Sequence, residues 1–133
     1  LQVGAIAAGA DEKSLELLER FSDLIGIAYQ MKDDLEDFET ENGTTSFDDQ
    51  SVLISLLSET ADADDSKAIY ESLKNRNMSD LQLMAGKYQI RERVTAMLRE
   101  YLVNTYGCLD NIGNLRLKLA LNEIVGKTFG DYV

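Results

Sequence analysis

The chain has 133 residues, 24 of them acidic and 13 basic, for a formal net charge of −11, and 44% of its residues are hydrophobic. One domain is the default for this length, with enough apolar content to bury a core. The charge argues strongly against nucleic acid and anionic membrane surfaces as partners, because both need a basic footprint. Histidine is absent and Cys108 is the single cysteine. That leaves no intrachain disulfide, no Cys/His zinc centre and no histidine acid–base chemistry. A lone thiol in an acidic chain suits a reducing cytoplasm; without a histidine partner, Cys108 reads as a partly buried thiol near a helix end rather than a nucleophile. No run approaches the ~20 apolar residues that span a bilayer, and no basic stretch leads into an apolar one as in a signal peptide.

Helical period dominates from end to end, and the absence of proline suits long helices. The expected class is all-α, an antiparallel bundle of five or six helices. The chain opens abruptly on an apolar stretch from Leu1 to Ala8, closed by Gly9. It reads as the end of a helix and as part of a longer protein, so 1–133 is expected to be a single helical domain or the C-terminal portion of one. Asp11 stands as N-cap of the next and longest helix, which runs to about Glu39. Leu17, Phe21, Leu24, Ala28, Met31, Leu35 and Phe38 alternate in steps of four and three and form its packing stripe. Thr40 to Ser46, with Asn42-Gly43, breaks it. A short apolar helix is expected at about Gln50–Ser58, preceded by Asp48 and Asp49. A loop over Ala61–Asp65 then leads into a helix from about Ser66 to Lys74. Ser79-Asp80-Leu81-Gln82 reads as a capping box with Met78 and Leu83 as its staple. It opens a helix expected to run unbroken to about Tyr106, with Gly107 just beyond. The last helix spans about Asn114–Phe129, with Leu117, Leu121, Ile124 and Val125 inward and Gly130 after it. Tyr70, Tyr88, Tyr101 and Tyr106 read as core or half-buried positions.

The chemistry sits in Gly26-Ile27-Ala28-Tyr29-Gln30-Met31-Lys32-Asp33-Asp34-Leu35-Glu36-Asp37. At about 100° per residue, Gly26, Gln30, Asp33 and Asp37 share one stripe, almost opposite Leu17, Leu24 and Leu35. Asp33 and Asp37 are one turn apart, and Asp34 points about a quarter-turn away. Mg²⁺ takes oxygen ligands in octahedral geometry, commonly one or two carboxylates plus substrate phosphates and water. Carboxylates at i and i+4 supply that half-shell, while a glycine one turn before Gln30 leaves room against the backbone. A soluble amphipathic helix with no chemistry also carries acids opposite its apolar stripe, and the few tenths of a kcal/mol that like charges cost there do not exclude it.

The string resembles the second aspartate-rich motif of the trans-isoprenyl (polyprenyl) diphosphate synthases, Gly-x-x-Phe-Gln-x-x-Asp-Asp-x-x-Asp. It matches at Gly26, Gln30, Asp33, Asp34 and Asp37, with Tyr29 in place of phenylalanine. Gly4-Ala5-Ile6-Ala7-Ala8-Gly9-Ala10 is similar to the glycine- and alanine-rich helix that precedes the motif, and Leu24-Ile25-Gly26-Ile27-Ala28 to its lead-in. The likeness is strong over about Leu1 to Phe38 and rests on helix pattern alone from Asn42 onward. It implies the C-terminal part of an isoprenoid-synthase-type fold, in a cytoplasmic homodimer. It also implies a prenyltransferase joining an allylic diphosphate to isopentenyl diphosphate through a carbocation, with Mg²⁺ as cofactor. Asp33 becomes the direct metal ligand, Asp34 and Asp37 direct or water-mediated ligands, and Gln30 and Tyr29 the catalytic side chains lining the prenyl cavity. The family's first aspartate-rich motif and its basic isopentenyl diphosphate pocket do not occur in these residues, so the chain alone is expected to be inactive. Residues 41–50 also carry neither the lysines nor the proline that the family places after the second motif.

Two other readings compete. Asp37, Glu39 and Glu41 have the 1, 3, 5 spacing of a calcium-binding helix–loop–helix, but Asn42 replaces the turn glycine and Asp48 the terminal glutamate. An acidic helical interaction module without catalysis is the other.

Overall fold

The computed structural model describes residues 4–5, 9–39 and 51–133, and among these residues the chain is all-α. From Glu12 onward, the described residues form, in order, α1 (Glu12–Glu39), α2 (Val52–Thr60), α3 (Ala63–Lys74), α4 (Met78–Lys87), α5 (Ile90–Asp110) and α6 (Leu115–Phe129), with a 3-10 turn at Gly130–Tyr132. The chain falls into two compact units, Leu1–Gln30 with Met97–Val133, and Met31–Ala96.

In the first unit, Gly4 and Ala5 are helical and Gly9 adopts φ +74°, which glycine reaches without a Cβ penalty. The Ala10 amide donates to the Ala5 carbonyl at 3.0 Å, the long-range bond of a Schellman closure. Asp11 then caps α1: its Oδ1 accepts from the Ser14 amide at 2.8 Å. The buried apolar residues include Leu18, Phe21 and Ala28 of α1, Leu98, Leu102 and Leu109 of α5, Ile112 between α5 and α6, and Leu121, Val125 and Phe129 of α6. Leu17 and Leu24 are only half-buried, so α1 packs along a line shifted toward Leu18. Ile124, expected inward, is about half exposed, whereas Phe129, not among the residues expected inward, is buried. Asn114 caps α6 through the Leu117 amide at 3.0 Å, and Arg99 donates to the Tyr132 carbonyl at 3.3 Å. Gly107 does not end α5, which continues to Asp110 and buries Cys108.

In the second unit, Met31 and Leu35 of α1 are buried, as are Leu53, Ile54 and Leu57 of α2, Ile69 of α3, Leu81 and Ala85 of α4, and Ile90 and Val94 of α5. Three local starts differ from the sequence expectation. The α3 helix begins at Ala63 rather than Ser66, because Asp62 acts as its N-cap, accepting from the amides of Asp64 and Asp65. Acids in that first turn also suit the positive end of the helix dipole. The α4 helix begins at Met78 with Asn77 as its cap, not Ser79: Asn77 accepts from the Asp80 amide and donates to the Asp80 carboxylate at 2.6 Å. A Schellman turn at Arg76 (φ 53°) places Asn77 there, with the Asn77 amide on the Ser72 carbonyl at 2.8 Å. Leu83 is therefore exposed rather than a staple, and Gln82 reaches instead to the Phe38 carbonyl of α1 at 2.9 Å.

The third difference is the break between α4 and α5. The expected single helix stops at Tyr88-Gln89, where Gln89 adopts φ 52°. A non-glycine residue held in that region costs on the order of 1 kcal/mol. Tyr88, Tyr101 and Tyr106 are half-buried as expected, whereas Tyr70 is exposed.

Candidate functional site

The motif Gly26 to Asp37 lies on one uninterrupted stretch of α1. Ala28, Met31 and Leu35 are buried on one side. On the other side, Gly26, Gln30 and Asp37 are exposed and Asp33 is half-buried. Tyr29, between the two sides, is half exposed. A Cβ built on Gly26 meets nothing within 4 Å, so the backbone there faces open space. Helical period thus placed this face where the sequence put it.

The position of the face along the helix matters as much as its direction. Asp33, Glu36 and Asp37 occupy the last two turns of α1, and its last turn holds no basic residue. Helix carbonyls leave that end partially negative, so carboxylates there are disfavoured and a cation is favoured. The Asp33 carboxyl is raised above the ordinary aspartate range. Partial burial is the main cause; Lys32 opposes it, while Glu36, Asp37 and Asp34 push it further up. Lys32 itself pairs with Glu36 at 2.7 Å.

Asp34 has a different setting. Its Oδ2 accepts from the Val52 amide at 2.7 Å. Val52 is the first residue of α2, and the N-cap residue Ser51 makes no side-chain cap bond. Asp34 therefore satisfies an open donor of the α2 N-terminus, where a negative charge is also favourable. This long-range cap had no local sequence signal, and Asp48 and Asp49, expected to lead into that helix, lie outside the described residues. So do Glu41, Asn42 and the rest of residues 40–50, on which the calcium-loop reading depends.

A hard divalent cation can be tested against these groups. Among the described residues, no three acidic, cysteine or histidine side chains converge on a point where they could hold one. Two do share a face, Asp33 and Asp37, with oxygen donors suited to Mg²⁺. This set fits an ion that takes its other ligands from phosphate and water. Asp34, turned to Val52, stands at its edge. A cavity of 680 Å³ in the second unit, bordered by Ile54, Ser58, Tyr70 and Lys74, does not include these carboxylates.

A second acidic cluster went unseen in the sequence. Asp65 of α3 accepts from the Tyr88 hydroxyl at 2.6 Å and pairs with the Lys87 ammonium; the Tyr88 hydroxyl in turn accepts from the Asp62 amide at 3.2 Å. The Lys87 and Tyr88 bonds hold the Asp65 carboxyl below the ordinary range, and the Asp65 bond raises both Lys87 and Tyr88. The pattern Asp62-x-x-Asp65 signals a helix start, but nothing local ties Asp65 to residues more than twenty positions away.

Among the described residues, no helix is long and apolar enough to cross a membrane. Comparison of the chain with protein-family models, with characterised proteins and with solved structures finds no match.

Proposed function

We propose that this chain supplies the Mg²⁺–diphosphate-binding helix of a prenyltransferase of the polyprenyl diphosphate synthase type. The observation that carries the reading is the placing of Asp33 and Asp37. They share one polar face of α1 towards its C-terminal end, and Asp33 is raised, chiefly by partial burial and further by Glu36, Asp37 and Asp34. Such a cluster gains free energy when a cation arrives. Bound there, Mg²⁺ would neutralise charge developing on a departing diphosphate. Asp33 and Asp37 hold the ion from the protein side. Asp34 fixes the last turns of α1 against α2, and Gln82 does the same from α4 through the Phe38 carbonyl. Gly26, open to space one turn before Gln30, leaves the substrate room against the helix. Gln30 and Tyr29, both exposed on the flank of this face, are the side chains that would border the prenyl chain. The allylic and isopentenyl diphosphate substrates, the cytoplasmic setting and the homodimer come with the family resemblance of Gly26 to Asp37.

The test is calorimetric titration of the chain with Mg²⁺ in the presence of inorganic diphosphate. Saturable binding that disappears in Asp33→Asn and Asp37→Asn, with the helical signal unchanged, is the expected result. Binding that survives both substitutions, or no binding to the wild-type chain, would overturn the reading.

A further inference from the structure

The segment from Met78 to Tyr106 has the apolar period of one continuous helix and contains no proline. The chain nevertheless interrupts it at Tyr88-Gln89, and does so with Gln89 in the left-handed region (φ 52°). Gly86, three residues earlier, is the residue that reaches this region without strain, yet it is helical. Local preference therefore does not set the break. The groups around it do. At the N-terminus of α3, the Asp65 carboxylate takes both the Tyr88 hydroxyl and the Lys87 ammonium, and the Asp62 amide donates to the same hydroxyl. The Lys87 ammonium also lies 5.3 Å from the centre of the Tyr88 ring. Two consecutive residues at the end of α4 are thus gripped by one turn of a neighbouring helix.

We infer that Asp65 is a conformational latch: its grip on Lys87 and Tyr88 keeps residues 78–110 as two helices, and its release lets α4 and α5 join into one. The device has a route to the carboxylate face. Gln82, on α4, donates to the Phe38 carbonyl at the end of α1, so straightening at residue 89 draws Gln82 away from the helix end that carries Asp33 and Asp37. The latch does not depend on what those carboxylates bind.

Nitroxide labels at Leu83→Cys and Ala96→Cys, both exposed positions, read the break directly; Cys108 is buried and resists labelling. Thirteen residues of straight helix span about 20 Å along the axis. In the labelled parent chain the pair should give one distribution shorter than this. In Asp65→Ala a population near that length should appear, together with a stronger helical circular dichroism signal at 222 nm. Tyr88→Phe, which loses only the hydroxyl, should show the same change at smaller amplitude. Adding Gln89→Gly to Asp65→Ala should restore the short distribution, since glycine holds the left-handed conformation without strain. Unchanged distances, or less helix rather than more, in Asp65→Ala and Tyr88→Phe would overturn the inference.

Discussion

Among the described residues of 31–96, the acids around Asp65 and those around Asp33 sit in contrasting settings. At Asp62 and Asp65, carboxylates stand at a helix N-terminus, where the dipole favours them, and Asp65 has a lysine and a phenol for partners; its carboxyl is lowered. At Asp33 and Asp37, carboxylates stand near a helix C-terminus beside further acids, and Asp33 is raised, chiefly by partial burial and less by those acids. The first cluster is satisfied within the protein and does structural work. The second lies on the face opposite the buried Ala28, Met31 and Leu35, and the last turn of its helix holds no basic residue. The difference shows that acidity alone says little about function. What separates a brace from a candidate cation site is whether the fold already supplies the opposite charge.

The largest expected effect falls on the packing side of α1 rather than on either cluster. Leu35 is 2% exposed, and Leu35→Ala should lower the free energy of unfolding by roughly 2–5 kcal/mol in urea melts. Leu24, only half-buried, should cost less. Asp34→Ala comes next. It removes the acceptor for the Val52 amide and should cost about 1 kcal/mol, as the loss of a helix cap does. Asp33→Asn should be neutral or stabilising by a few tenths of a kcal/mol, because it removes a like charge from a crowded helix end. A clear loss of stability in Asp33→Asn would make the face structural and erase the contrast.

The pH dependence sharpens the comparison further. Asp65 is lowered, so its contribution is present above the unfolded value of about 4 and is lost as pH falls through the folded one. Asp11, lowered by its cap bonds to Ser14, acts in the same direction. Asp33 is raised, so stability is gained as pH falls through its folded value. The two clusters therefore act in opposite directions as pH falls, Asp33 above about pH 4 and Asp65 below it. Removing Asp33 should abolish the gain in stability between its folded value and about pH 4, and Asp65→Asn should flatten the loss below about pH 4. At the alkaline end, Lys87 and Tyr88 are raised; their contribution holds below about pH 10 and is lost above it. Thermal melts of the three chains across pH check all of these signs.

Much of this was legible in the sequence where the signal is local and periodic. The extent of α1, the Asp11 cap, the end of α3 at Lys74 and the Asn114 start of α6 follow from helical period and capping side chains. So does the sharing of one face by Asp33 and Asp37. What escaped depends on partners far along the chain. Gln82 fits a local capping box in sequence but donates to the Phe38 carbonyl; Asp34, a ligand candidate by its motif, accepts from the α2 N-terminus; and Tyr88, where the helix breaks, donates to Asp65. Local pattern also favoured Ser79 over Asn77 as a cap, because the left-handed turn at Arg76 that positions Asn77 has no glycine to announce it. In each case a tertiary hydrogen bond or an unannounced turn overrode a local preference of similar size.

The proposed role of α1 rests on Asp33 and Asp37 taking up a divalent cation on their shared face. Carbon-13 NMR titration of the Asp33 side-chain carboxyl, with and without Mg²⁺ and inorganic diphosphate, tests it most directly. A midpoint above the ordinary aspartate range is expected in the metal-free chain, falling when Mg²⁺ and diphosphate are added, while the Asp65 midpoint stays low and unmoved. An Asp33 midpoint at or below the ordinary range, or one that Mg²⁺ leaves in place, would contradict it.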